Sequence, residues 1–259
     1  MTYPWGMTDE ELTRDGFLNG RLSVLQPVAG YRAGVDPVFL AASVPAKTGE
    51  AVLDLGCGVG TAALCLGARV AGLDLAGLER QVAYADLARR NAEANQIALE
   101  VFEGRLEAMP APLRARSFDH VMANPPYWPR AVRTKSHDAG REIALAEDTP
   151  LPGWCDAVIR RLRPGGCLTL IQAANRLPDL LSALDERVGA IAVFPLAPRA
   201  GRDATRIIVQ ATKGSRASPR LAAPTILHEG AQHTKDGDSF SGPVRSVLRD
   251  GAPFPWGAH

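Results

Sequence analysis

Cysteine is scarce in this 259-residue chain, and the four thiols Cys57, Cys65, Cys155 and Cys167 contain no Cys-x-x-Cys pair. They sit inside runs that read as helix or strand, a usage that points away from a disulfide framework and from a cysteine-held metal. Lysine is scarcer still relative to its partner. It occurs only at 47, 135, 213 and 235, and the other 25 of the 29 basic residues are arginine. Against 28 acidic residues this leaves a formal charge of +1, so no global field advertises a polyanionic partner. No apolar run approaches the ~18–20 residues of a membrane span, and no period of roughly 20–50 residues repeats as in a solenoid. Met1 to Leu12 carries Asp9, Glu10 and Glu11 instead of a basic-then-apolar secretory pattern, which makes a reduced, cytoplasmic setting the expectation. His228 and His233 flank Glu229 but stand five apart, about 140° around a helix, where a zinc helix needs four. With Gly230 between them the segment reads as a loop, and no metal is expected.

What is present is an ordinary globular composition, 46% hydrophobic and 22% charged. From residue 50 onward apolar runs of strand length alternate with helical stretches. The strands read as Ala51–Leu55, Val70–Leu75, Ala98–Glu103, Phe118–Ala123, Cys167–Gln172 and Ala190–Leu196. Helices read as Thr61–Gly67, Leu78–Asn95, Trp154–Leu162 and Pro178–Val188. Continuous apolar strands separated by helices imply a parallel sheet covered on both faces. Arg206–Ala211 follows Ala190–Leu196 with no helix between, so those two strands should pair antiparallel. The fold class predicted is α/β: a Rossmann-like, doubly wound, seven-stranded sheet, mostly parallel with an antiparallel last strand. A small cap, residues 1–48, precedes the main domain at 49–214. In the cap, Phe17-Leu18 and Arg21–Leu25 read as a hairpin about Asn19-Gly20. Asp36-Pro37 begins a short apolar helix, with Asp36 as N-cap and Pro37 at the first helical position. The tail, 215–259, is rich in Gly, Pro, Ser and His and reads as loosely ordered.

The first strand of the main domain runs into Asp54-Leu55-Gly56-Cys57-Gly58-Val59-Gly60-Thr61. Glycines at a strand-to-helix turn let a ligand reach bare backbone at a helix N-terminus. The spacing here is Gly-x-Gly-x-Gly, not the Gly-x-Gly-x-x-Gly of dinucleotide sites, and a carboxylate, Asp54, opens the loop. Beside a diphosphate that charge repels; beside an ammonium group it attracts. S-adenosylmethionine, a nucleoside with an amino acid end and no phosphate, is such a ligand. The second strand, read as ending in Gly72-Leu73-Asp74-Leu75, offers Asp74 to a ribose diol, with Glu79 a weaker candidate read as solvated. Cofactor contacts are thus expected from Asp54, Gly56, Gly58, Gly60, Asp74 and Asn124.

The fourth strand ends in Asn124-Pro125-Pro126-Tyr127. Two prolines stiffen the turn and present Asn124 at the carboxyl edge of the sheet, beside the crevice. A planar exocyclic amine or amide is a poor nucleophile because its lone pair is delocalised. The Asn124 side-chain carbonyl and the Pro125 backbone carbonyl can each accept one N–H and so favour a pyramidal nitrogen. Tyr127 can stack on the acceptor plane. Asn124, Pro125, Pro126 and Tyr127 are the candidate catalytic residues. His120, inside the strand, reads as a packed core residue.

The tetrad resembles that of amino-methyltransferases, which act on adenine N6 of nucleic acids or on a release-factor glutamine. The block Leu25-Gln26-Pro27-Val28-Ala29-Gly30-Tyr31-Arg32-Ala33-Gly34-Val35-Asp36-Pro37-Val38-Phe39-Leu40 is similar to the signature of the bacterial tRNA(Val) adenine N6-methyltransferase family, and the Arg163–Gly166 turn also fits. The resemblance implies the class I methyltransferase fold, S-adenosylmethionine as cofactor and tRNA as partner. It also implies that the cap block lies over the cofactor. Where that family carries an acid after Gly104, this chain has Arg105, which implies that the contact to the cofactor adenine moves to backbone or to Glu103. A glutamine N5-methyltransferase and a catalytically silent RNA-binding module are the alternatives. Basic residues cluster at 105–141 and 199–220. Arg130, Arg133 and Lys135, just after the tetrad, are the candidate substrate-binding residues, placed where RNA phosphates would flank the acceptor pocket.

Overall fold

The computed structural model describes residues 8–129, 146–147, 149–230 and 239–256; of 128–129 and 146–147 the backbone alone is described. The cap is a hairpin, β1 (Leu12–Phe17) against β2 (Leu22–Pro27), followed by α1 (Asp36–Ser43). The main domain runs β3 (Ala51–Leu55), α2 (Thr61–Arg69), β4 (Asp74–Glu79), α3 (Val82–Ala94), β5 (Glu100–Glu103), α4 (Ala111–Arg114) and β6 (Phe118–Ala123). The two-residue strands β7 (Trp128–Pro129) and β8 (Ala146–Glu147) pair with each other. Then come α5 (Leu151–Arg161), β9 (Leu162–Ala173), α6 (Leu177–Ala183), β10 (Val188–Ala197) and β11 (Arg206–Lys213). The chain closes with β12 (Arg220–Leu221), β13 (Thr225–Ile226) and α7 (Gly242–Asp250).

The central sheet has the order β12-β10-β11-β9-β6-β3-β4-β5, with β13 also paired to β10. Strands β3, β4, β5, β6 and β9 are mutually parallel, and β11 is antiparallel to both β9 and β10, as the missing crossover helix requires. The expected seven strands are all there. Two short ones, β12 and β13, extend the sheet along β10 from the tail.

Side chains of the central strands alternate between the two faces. Val52, Met122 and Ile208 enter one core with α1, α2, α3 and the cap; Leu53, Val121 and Val209 enter the other, against α5. All five residues of β3 are buried, which is why that run is uninterrupted by polar residues except at Asp54.

Four expectations are corrected. Strand β4 is not Val70–Leu75 but Asp74–Glu79, so Asp74 starts the strand and Glu79 ends it. The hairpin turn is Leu18-Asn19-Gly20-Arg21, with Leu18, Asn19 and Gly20 all at positive φ, not a two-residue Asn-Gly turn. Val35 is the N-cap of α1, which puts Asp36 one position inside the helix and Pro37 a second. Nor is the tail loose where it is described. Val244 and Val247 of α7 are fully buried, the Phe254 N–H donates to Ala42 at 2.8 Å, and Trp256 stacks on Phe194 with centroids 3.8 Å apart. Sparse apolar residues at helical spacing do this: α7 needs only one narrow stripe to seat on α1.

The cap is fixed to α3 by two asparagines one turn apart. Asn91 accepts from the Leu25 N–H (2.7 Å) and donates to the Leu25 carbonyl (3.0 Å); Asn95 does the same for Ser23 at 2.9 Å each way. Two side-chain amides thus stand in for a neighbouring strand along β2.

Candidate active site

A cavity opens along the carboxyl ends of β3, β4 and β6, bounded by the glycine loop, the start of α1, the loop after β5 and the Asn124–Tyr127 turn. This is where an open α/β sheet binds ligands, at the point where the strand order reverses direction.

On one side stand two carboxylates. Asp54 is buried, with Oδ2 accepting no hydrogen bond among the described residues. Burial pushes its pKa up to about 7, a hydrogen bond from the Ala63 backbone pulls it down, and the charge of Glu79 pushes it up. Glu79 accepts from the Gly58 N–H at 3.0 Å and from the Gln81 N–H at 2.8 Å; burial nonetheless holds its pKa above the usual range. Each oxygen keeps acceptor capacity for a further donor. The glycine loop is tied to β4, since the Gly56 and Cys57 N–H groups both donate to the Leu78 carbonyl (2.8 and 3.0 Å). Gly56, Gly58 and Gly60 all have positive φ. At Gly56 a Cβ would stand 2.7 Å from the Trp154 ring, so glycine is required there twice over.

An orphaned buried carboxylate oxygen, bare backbone at a helix start and a second carboxylate one strand away fit a ligand with one cationic end and one diol. The donor set matches S-adenosylmethionine. Asp54 and Glu79 are the groups that would hold its amino acid and ribose ends, with Gly56, Gly58 and Gly60 beside them.

The position assigned to Asp74 is therefore corrected. Asp74 is exposed at the far end of the sheet, salt-bridged to Arg116 at 2.8 Å, and does not line the cavity. Glu103 is also elsewhere, paired with Arg89 at 2.9 Å, so it does not take over the acid missing at Arg105. Arg105 itself lines the cavity, as does Glu107, whose carboxylate accepts from the Thr149 hydroxyl.

On the other side, Asn124 donates to the Tyr31 hydroxyl at 3.4 Å, and its side-chain oxygen accepts no hydrogen bond among the described residues. The turn is held from behind. One buried amide, Gln172, donates to the carbonyls of Pro125 (3.3 Å) and Pro126 (3.4 Å), and Arg176 donates to the Tyr127 carbonyl (3.0 Å). The Pro125 carbonyl thus has one lone pair in use and one left for an acceptor N–H. The Tyr127 hydroxyl donates to Asp36 at 2.5 Å. Burial and the Asp36 charge hold the Tyr127 proton on to well above the usual phenol range.

The cap block folds over this cavity through its own polar residues. Arg32 binds Asp15 (2.6 Å), Thr13 (2.7 Å) and the Pro27 carbonyl (2.9 Å). Buried Gln26 accepts from the Ala33 N–H at 2.7 Å. Together they turn Tyr31, Ala33 and Asp36 into the lining. Sequence reasoning missed Tyr31, Asp36, Gln172, Arg176 and Arg206 as individual site residues. Only the density of polar residues in the Gln26–Asp36 block signalled any of them.

Arg130, Arg133 and Lys135 fall outside the described residues. His120 is buried, with Nε2 2.9 Å from Glu50, and does not line the cavity. His228 stacks on Phe240 and contacts Ser239 at 3.0 Å; His233 falls outside the described residues. No described helix is long and apolar enough to cross a membrane.

A family model described as the methyltransferase small domain matches residues 33–151. A curated relative from Aeromonas hydrophila, named tRNA1(Val) (adenine(37)-N6)-methyltransferase, is 26% identical over 205 residues, covering 77% of this chain and 84% of the relative. A release factor glutamine methyltransferase of Geobacter sulfurreducens is 38% identical over 81 residues, 31% of this chain and 28% of its own. Among solved structures, one from Agrobacterium tumefaciens described as a "predicted O-methyltransferase" is 27% identical, with a TM-score of 0.66 over 82% of this chain and 94% of that one.

The fold and the cleft define a class I methyltransferase that uses S-adenosylmethionine. Within that class the chain is similar to several curated bacterial proteins named tRNA1(Val) (adenine(37)-N6)-methyltransferase, at 25–26% identity over 77–92% of its length.

Proposed function

We propose that the protein transfers a methyl group from S-adenosylmethionine to the exocyclic N6 of an adenine in tRNA, the anticodon-loop adenine of a valine tRNA being the substrate its relatives' names point to. The observation that carries this reading is the convergence on one cavity of Asp54, with its unpartnered oxygen, and the Asn124–Tyr127 turn.

The cofactor supplies an electrophilic methyl; the chain supplies position and hydrogen-bond acceptors. The Asn124 side-chain oxygen and the spare lone pair on Pro125 accept the two amine protons. That draws the nitrogen out of conjugation and turns its lone pair into the cavity. Gln172 and Arg176 hold the turn so that these acceptors do not move when the amine arrives. No residue of the cavity needs to act as a strong base, because a proton is lost readily once the nitrogen becomes cationic.

Labelled S-adenosylmethionine incubated with tRNA from cells lacking this enzyme, followed by nucleoside analysis, tests the reading. N6-methyladenosine in valine tRNA is the expected product. Methylation of a Gly-Gly-Gln peptide with none in RNA would favour the glutamine reading that the shorter match supports. Asn124→Ala is expected to lower transfer at least about 100-fold with cofactor binding intact.

A further inference from the structure

Three segments far apart in the chain meet at the Tyr127 side chain. The Tyr127 hydroxyl donates to Oδ2 of Asp36 at 2.5 Å, and Nε of Arg206 donates to the same oxygen at 3.1 Å. The Arg206 guanidinium also lies over the Tyr127 ring, with Cζ 4.7 Å from the ring centroid. Asp36 is in the first turn of α1, where the helix start favours a negative charge. Arg206 is the first residue of β11, opposite Ala173 at the end of β9, which brings it to the carboxyl edge of the sheet.

We infer that Asp36 and Arg206 are positioning residues for the acceptor. The carboxylate tethers the Tyr127 hydroxyl, and the guanidinium backs one face of its ring, leaving the other face as a fixed platform for a planar acceptor whose amino group Asn124 engages. This rests on the amine-methylation reading above.

The physical case has three parts. A hydroxyl-to-carboxylate bond of this length is charge-assisted and about twice as strong as a neutral one. A ring ordered before the acceptor arrives removes the ordering cost that an untethered side chain adds to binding. The guanidinium is planar, matches the ring face and pairs with Asp36 at once, which a lysine in its place does only in part. The carboxylate is thus shared between phenol and guanidinium, and the three groups form one unit.

The test compares Tyr127→Phe, Asp36→Asn, Arg206→Gln, Arg206→Lys and the Asp36→Asn/Arg206→Gln double variant. Tyr127→Phe keeps the ring and cuts the tether. It and Arg206→Gln are each expected to lower kcat/KM for tRNA about tenfold. Affinity for S-adenosylmethionine by calorimetry should stay at the wild-type value. Arg206→Lys should recover part of the loss, and the double variant should fall no further than its worse single member. Wild-type rates in Tyr127→Phe and Arg206→Gln, or losses that multiply in the double variant, overturn the inference.

A second measurement needs no substrate. In protein carrying ring-labelled tyrosine, the Tyr127 resonance, assigned by its disappearance in Tyr127→Phe, should move in both Asp36→Asn and Arg206→Gln. A resonance that stays in place overturns the tether directly. If wild-type protein methylates the glutamine peptide and no RNA, the adenine reading fails alone. The variants are then compared on the peptide, whose amide plane needs the same platform.

Discussion

Glu79 helps to hold the proton on Asp54. The two carboxylates stand at the carboxyl ends of adjacent parallel strands, Asp54 one residue before the end of β3 and Glu79 at the end of β4, and both are buried. Near neutrality, Asp54, at about 7, is partly protonated in the ligand-free protein. Its folded-state pKa lies above the unfolded value of about 3.9, so its contribution to stability is fully present below that value and is lost as pH rises through about 7.

A cationic ligand reverses this balance, because it selects the ionised carboxylate and expels the proton. Affinity for S-adenosylmethionine is therefore expected to weaken by up to about tenfold for each pH unit below 7. Binding heats measured in buffers of different ionisation enthalpy should report the released proton. Affinity flat from roughly pH 5.5 to 8 would sink the assignment of Asp54 to the ammonium. Asp54→Asn should bind cofactor poorly yet resist urea better than wild type at pH 8, since it removes a buried, unpaired charge.

Glu79 and Asp74 make opposite predictions. Glu79→Gln should weaken cofactor binding about tenfold or more, because a neutral amide accepts the diol protons less well. Asp74→Asn should leave binding unchanged and alter stability by less than about 1 kcal/mol, as expected for an exposed pair with Arg116. Titration of each variant with S-adenosylmethionine decides which acid serves the ribose.

The glycine loop separates two kinds of damage. At Gly58 an added Cβ meets open space but must sit at φ +56, so Gly58→Ala should cost about 1–2 kcal/mol. Gly56→Ala adds contact with the Trp154 ring at 2.7 Å to the same strain and should be the less stable of the two. Urea midpoints in the absence of cofactor measure the difference.

Phe254 packs edge-on against Phe39 of α1, with centroids 5.5 Å apart. Phe254→Ala should lower stability by about 3–5 kcal/mol, the range for an aromatic deleted from a core. A midpoint equal to wild type in chemical denaturation would show that the tail does not brace α1.

The parts of this molecule that were legible in its sequence are those governed by burial. Ala51–Leu55 and Phe118–Ala123 are strands at the stated bounds because central strands covered on both faces have no polar position to confuse the pattern. Asp74 was misplaced for an identifiable reason. The chain has Gly-Leu followed by an acid twice, Gly72-Leu73-Asp74 and Gly77-Leu78-Glu79, and either acid satisfies a local rule. The structure selects the second because β4 must run level with β3, and because Gly77 leaves room for the Cys57 sulfur, 2.7 Å from where a Cβ would lie. The meeting of Asp36, Tyr127 and Arg206 had no local signal at all, since those residues are 91 and 170 positions apart along the chain.

The Asn91 side chain has a role beyond fastening β2. Its amide nitrogen also donates to the Val59 carbonyl at 3.0 Å, inside the glycine loop. One primary amide therefore rivets the N-terminal hairpin to the cofactor's cradle. A polypeptide starting at residue 49 would leave that donor and its acceptor oxygen without their Leu25 counterparts, in a buried place that water does not replace cheaply. The hairpin of residues 12–27 and the block after it are thus an integral wall of the cavity, and loosening the hairpin and emptying the cradle should be one event.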